Sequence, residues 1–251
     1  MKEEQMFEKR IKELAEKSYR ENCYQYTGFL NLMEQSDVEK MSREISYAGI
    51  QSSGGDSLCE RKVYGFGSEE AFGYSPVFPI SCLHIYPATP KFAEDLGHRD
   101  YLGAIMNLGI QRSCIGDLFI KEKNAWVFVL DNMQEYLLEN LTKVRHTFVK
   151  TEQCEKLPID AAPTLLEKQA NVASERLDVV IAEIYHFSRS QVSELFREKQ
   201  IFLDGRLMEN KSGILKKGVV VSVRHQGRFF YDGVISETRK GRLRIAYRIF
   251  T

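Results

Sequence analysis

Between Val77 and Lys150 the apolar residues switch repeatedly between a period of two and a period near 3.6. The order of those switches constrains the fold more than any other feature of the chain. Val77 to Pro87 reads as a strand. Arg99 to Leu108 reads as a helix with Leu102, Ile105 and Met106 on one side. Leu118-Phe119-Ile120 and Trp126-Val127-Phe128-Val129-Leu130 read as strands joined by a turn around Lys123-Asn124. Asn132 to Leu141 is a second helix and Val144 to Lys150 a further strand, so the order is β-α-β-β-α-β. That is the split, ferredoxin-like arrangement.

The same arrangement carries the RNA-recognition motif (RRM). The strand from Trp126 does not spell that motif's aromatic signature, so stacking of bases on it is not expected. Residues 1 to about 50 read as helices. Phe7, Ile11 and Leu14 form one stripe, and Ser36-Asp37-Val38-Glu39 forms a capping box. Gln51 to Asp56 breaks the pattern, and a mixed segment to about Pro79 holds Gly65-Phe66-Gly67. Glu152 to Ala173, with Pro158 and Pro163, reads as a linker.

The C-terminal stretch reads as a separate unit. Ser174 caps a helix in which Leu177, Ile181 and Ile184 share a face. Ser188 opens a second helix, with Gln191 completing a capping box and Val192, Leu195 and Phe196 buried. Ile201 to Leu203 is a short strand ended by Asp204-Gly205. Lys217-Gly218 turns into Val219 to Val223. In the last strand Leu243, Ile245, Tyr247 and Ile249 alternate with Arg242, Arg244 and Arg248, which places three guanidinium groups on one surface.

Charge separates the chain in the same place. The 35 basic and 35 acidic residues cancel, which argues at first against nucleic acid. Residues 171–251, however, hold 15 basic and 9 acidic residues, a balance of +6, against −6 for residues 1–170. Asymmetry of this kind points to an anionic partner for the basic end. The helix at Ser188 offers free backbone N–H groups to a phosphate, and Arg189 stands in its first turn against the usual acidic preference there. No secretory signal or membrane span is expected. The five separated cysteines form no C-x-x-C pair, so reduced thiols in the cytoplasm are expected and zinc is not.

Arg176-Leu177-Asp178, Ser188-Arg189-Ser190, Leu203-Asp204-Gly205 and Lys217 to Val223 resemble the S4 RNA-binding domain in order and spacing. Asp204 stands where that family has Asn, and Val219 where it has Asp. Hosts of S4 domains differ. Arg176-Leu177-Asp178 lacks the Thr and Gly of a pseudouridine-synthase site, so Asp178 reads as a structural partner rather than a nucleophile. Lys40-Met41-Ser42-Arg43 looks like a synthetase loop but has no H-x-G-H companion. Gly65-Phe66-Gly67 lacks the βαβ setting of a methyltransferase loop.

The segment from His98-Arg99-Asp100-Tyr101-Leu102-Gly103 through Asn107, Gly109 and Arg112 to Ile115-Gly116-Asp117 resembles the YlmH-type family of bacterial S4 proteins. The residues themselves leave two readings open, a helix capped by Asp100 with a packed glycine, or an RNA contact through His98, Arg99 and Arg112. The resemblance implies an α+β chain of three parts. These are a helical or mixed N-terminal domain over 1–75, an RRM-like domain over 76–155, and a C-terminal S4 domain over 172–251. It further implies a non-catalytic factor, without cofactor or metal, that is monomeric when free. Such a factor binds ribosomal RNA or tRNA on the large (50S) ribosomal subunit during quality control of stalled peptidyl-tRNA, with a link to cell division. The RNA-binding set expected is Arg176, Ser188, Arg189, Ser190, Lys199, Lys211, Arg224, Arg242, Arg244 and Arg248. The competing expectations are an RNA-modifying enzyme using Asp100 or Asp117, and a division-linked scaffold.

Overall fold

In the computed structural model, residues 2–158, 161 and 165–250 are described, with side chains from residue 5. The chain is mixed α and β and divides into two units, residues 1–162 and 163–251. The readings at Met1 and Pro163 lie outside the described residues.

The first unit opens on α1 (Lys2–Glu21). Its buried stripe is Ile11, Ala15 and Ser18, one helical turn apart, and Ser18 Oγ donates to the Phe66 carbonyl at 2.7 Å. The segment expected to be helical to residue 50 is not continuous. Strand β1 (Gln25–Leu30) interrupts it, followed by α2 (Leu32–Met41) and β2 (Ile50–Ser53). β3 (Lys62–Phe66) lies between β1 and β2 in an antiparallel sheet. The helix cap is also displaced. Asn31, not Ser36, accepts the N–H groups of Met33 and Glu34, and the Glu34 carboxylate returns to the Asn31 N–H at 2.7 Å. Ser36 is buried inside α2. A four-residue helix, α3 (Glu69–Phe72), follows, capped by Ser68.

The order from residue 80 onward is β4 (Ile80–Pro87), α4 (His98–Asn107), β5 (Ile115–Lys121), β6 (Asn124–Leu130), α5 (Asp131–Asn140), β7 (Lys143–Val144) and β8 (Thr147–Cys154). These strands form one antiparallel sheet in the order β5-β6-β4-β8-β7. Alternation sorts its side chains. Leu83, Ile85, Val127 and Val129 pack with Tyr101, Ile105 and Leu137 of the helices. The buried side of α4 is therefore Tyr101 and Ile105, while Met106 is exposed. Cys82, Phe119, Trp126 and Phe128 point the other way and are covered by Phe29, Cys59 and Val63. Gly28 permits that closure, since a Cβ there would stand 2.7 Å from the Ser113 carbonyl oxygen.

The second unit begins earlier than expected. Residues read as linker form β9 (Leu165–Val172), which pairs along its whole length with β14 (Leu243–Phe250). Between them come α6 (Leu177–Tyr185), α7 (Arg189–Arg197), β10 (Ile201–Leu203), β11 (Arg206–Leu207), β12 (Val220–Val223) and β13 (Gly227–Glu237). The sheet order is β11-β10-β12-β13-β14-β9. Leu177, Val180, Ile181, Val192 and Phe196 bury the two helices against Val221, Phe229, Tyr231 and Ile245. Asp204 and Gly205 both hold positive φ, 47° and 81°, which suits the two-residue hairpin between β10 and β11. Among the described residues no helix is long and apolar enough to cross a membrane.

Candidate nucleic-acid interface

The start of α7 is built by its own sequence. Ser188 is the N-cap, its Oγ accepting the Gln191 N–H at 3.3 Å while Gln191 Oε1 accepts the Ser188 N–H at 2.8 Å. Ser190 Oγ lies 2.9 Å from Ser188 Oγ. The reciprocal cap leaves the first-turn positions Arg189 and Ser190 exposed. Arg189 has no hydrogen bond or ion pair with any described residue. An unpaired guanidinium at the positive end of a helix dipole is unfavourable on its own, and an anion between the two relieves it.

The other expected residues do not gather at this point. Lys199, at the far end of α7, lies 3.8 Å from Glu209. Arg224 is placed beside it, because its N–H donates to the Gln200 carbonyl at 2.9 Å. A second group sits at the start of α6. Arg176 is the N-cap, with no side-chain capping bond to the helix backbone, and Ser174 does not cap it. Arg176 instead holds Asp178, whose N–H donates to the Lys211 carbonyl at 3.1 Å. Those hydrogen bonds pull the Asp178 carboxyl below its ordinary value. Its role is that of the structural partner anticipated for it. The Lys211 and Arg224 side chains have no hydrogen bond or ion pair with described residues.

The three arginines of the last strand differ from one another. Arg248 is held by Asp232 through two bonds of 2.8 Å and lies 4.9 Å from the centre of the Phe230 ring. Arg242 donates to the Asn171 carbonyl at 2.6 Å and lies 3.6 Å from Glu183. Only Arg244 among them is without a partner among the described residues. The expected uniform row of cations is thus largely neutralised by acids on β13 and α6, and alternation along one strand carries no information about those.

In the first unit the three candidates also separate. Arg112 is spent on structure, donating to the Ile115 and Gly116 carbonyls. Arg61, which sequence reasoning missed, lies with it. Its Nε donates to Ile115 O at 3.0 Å, one Nη donates to Phe29 O at 2.7 Å, and its N–H reaches Asp117 at 2.7 Å. Burial, and then the Arg61 charge, lower Arg112 to about 10. Crowding by neighbouring atoms and then Arg112 hold the His98 imidazole below its ordinary value. Asp100 caps α4 from inside, accepting the Gly97 N–H at 2.8 Å. Arg99 is exposed, with no partner among the described residues. Arg61 lies in a stretch with no apolar period, so nothing in the sequence singled it out. Among the described residues no three His, Cys, Asp or Glu side chains are grouped to hold a metal ion.

Residues 77–157 match the family model described as "Putative RNA-binding domain in YlmH". Along 94% of its length the chain is 24% identical to the ribosome-associated protein quality control protein P2 of Bacillus subtilis, covering 90% of that protein. A solved structure, the cell division protein ylmH from Streptococcus pneumoniae, is 20% identical with a TM-score of 0.49, over 61% of this chain and 91% of that one.

Proposed function

We propose that this chain, similar to the YlmH-type proteins over residues 77–157 and along most of its length, is a non-catalytic RNA-binding factor acting with the ribosome. It holds structured ribosomal RNA or tRNA on the large subunit, in the cytoplasm, during quality control of stalled peptidyl-tRNA. In this reading residues 76–155 are an RRM-like domain, and residues 172–251 are an S4 domain that grips RNA by backbone and shape. The observation that carries it is the first turn of α7, where Ser188 completes a reciprocal cap and Arg189 stands exposed and unpaired. Lys211, Arg224 and Arg244 add unpaired charge, and the unit's net positive balance supplies attraction at a distance. The acidic remainder limits attachment to arbitrary RNA.

The test is sedimentation of the tagged protein through sucrose gradients, followed by a salt series on the particle it follows. If about five phosphates are neutralised, log affinity falls against log salt with a slope of roughly −3.5 to −4.5. A flat salt response, or no sedimentation with the large subunit, removes the reading.

A further inference from the structure

The segment matched as RNA-binding contains two surfaces on which RNA could be held, and the protein itself uses up one of them. On the sheet face away from α4 and α5, Phe29, Cys59 and Val63 cover Cys82, Phe119 and Phe128. His84 lies flat on Trp126, ring centres 4.8 Å apart at 6°. Both nitrogens of that imidazole are engaged, by Glu152 at 3.1 Å and Asn124 at 3.0 Å. What is left open there carries the Glu152 carboxylate beside Lys150, a mixed charge that does not favour phosphate.

The second surface is a groove of about 540 Å³ between α4 and the β7–β8 hairpin, lined among others by Arg99, Gly103, Asn107, Lys143 and Arg145. Asp100 is the acid of this lining, and it is occupied, by the Gly97 N–H at 2.8 Å and by Arg145 at 3.5 Å. Arg99 has no partner among the described residues. The Lys143 ammonium rests 5.3 Å from the centre of the Phe148 ring, a contact that leaves its charge uncancelled. Gly103 is the second feature. It sits inside a helix, where glycine costs stability, yet a Cβ there meets nothing within 4 Å and its φ is not positive. Packing within the chain therefore gives no reason for glycine. A bare helix surface between cations is suited to close approach by an extended anionic chain.

We infer that this groove holds RNA phosphodiester backbone, with Arg99 and Lys143 meeting phosphates and Gly103 as the floor over which the strand passes. The inference rests on the reading of the chain as an RNA binder and assigns the middle segment a contact of its own, separate from that of α7. It keeps Arg99 and sets Lys143 in place of His98 and Arg112 as its partner.

The experiment uses the full chain, purified large ribosomal subunits and deproteinised RNA from the same subunits. Gly103→Glu places a carboxylate in the groove at a position where it improves helix propensity, so loss of binding in it is not loss of fold. Arg99→Glu combined with Lys143→Glu is the companion variant, and Arg189→Glu the control outside the groove. The expected result is at least a tenfold weaker affinity for both RNA and particle in the groove variants. For the double variant the salt slope is shallower by about 1.4 to 1.8, the loss of two phosphate contacts. Unchanged affinity and slope in the groove variants, with Arg189→Glu defective, overturns the inference and leaves the RNA-binding reading intact. Weakened binding to particles with unchanged binding to deproteinised RNA also overturns it, in favour of an acidic protein surface. A wild-type chain that binds RNA without salt dependence fails the functional reading itself.

Discussion

Arg176 grips Asp178 with two parallel hydrogen bonds, Nε to Oδ1 at 3.0 Å and Nη2 to Oδ2 at 2.8 Å. The pair belongs to the Arg-Leu-Asp stretch that resembles the S4 pattern, and it is internally neutral. Arg176 remains 42% exposed, so solvent screens the pair, and Asp178→Asn should cost only about 0.5–1 kcal/mol. The Asp178 carboxyl is depressed in the folded state. Its contribution is therefore complete above the unfolded value near 4 and is lost as pH falls through the lower folded value. Urea unfolding at pH 7 and pH 3 checks this. The difference between wild type and Asp178→Asn should shrink at the lower pH.

Arg189 behaves in the opposite way, since nothing in the chain depends on it. Arg189→Glu should leave stability within about 0.5 kcal/mol of wild type, because an acid in a first helical turn favours the dipole. Binding to large-subunit particles should be abolished. Thermal melting and co-sedimentation on the same preparation separate the two effects. A large loss of melting temperature would make Arg189 structural.

Arg61 and Arg112 predict a stability defect in place of a binding defect. Arg61→Ala removes the side-chain donor to the Phe29 carbonyl and one of the two donors to the Ile115 carbonyl, and leaves Arg112 as the remaining cation beside Asp117, whose bond from the residue 61 N–H persists. The expected cost is about 2–4 kcal/mol, the range for breaking a partly buried charged network. Denaturant titration measures it. Retained full stability would show that these bonds are replaced by water.

Cys82 gives a prediction at alkaline pH. Burial, then the neighbouring Cys154, push its thiol up to about 12. The unfolded chain loses that proton near pH 8.5 to 9, so the contribution to stability is present below this value and lost as pH rises toward 12. Alkylation by iodoacetamide at pH 8 should label Cys23 before Cys82 and Cys59, both buried. Mass spectrometry of the labelled peptides reports the order, and equal rates would contradict the burial.

The parts of this fold that sequence reading recovers are those decided within about ten residues. The alternation from Ile80 to Leu130, the Ser188–Gln191 cap and the Asp204-Gly205 turn are all local. The failures have one physical source. β1 and β9 are specified by partners far along the chain, Gln25–Leu30 by Lys62–Phe66 and Leu165–Val172 by Leu243–Phe250. Their own patterns are too weak to announce a strand. At α2 the expected cap Ser36 is buried inside the helix, and Asn31 holds the position because Glu34 reaches back to its N–H. The candidate interface shows the same limit. Arg189 was visible because its setting is local. The neutralisation of Arg242 and Arg248 was not, because Glu183 and Asp232 lie on other elements.

The pairing of β9 with β14 has a kinetic consequence. Val172 waits for Leu243, and Leu165 for Phe250, so the seventy residues from 173 to 242 must close before the first of these bonds forms. Until then β14 is itself an open edge, and the apolar side chains it shares with β13 have cover on one flank only. The second unit should therefore mature late and slowly for its size, as chains dominated by non-local pairing do. Of the partly folded forms on the way, the one lacking only β9 exposes a strand edge able to pair with a second copy, which makes this closure the step most sensitive to protein concentration.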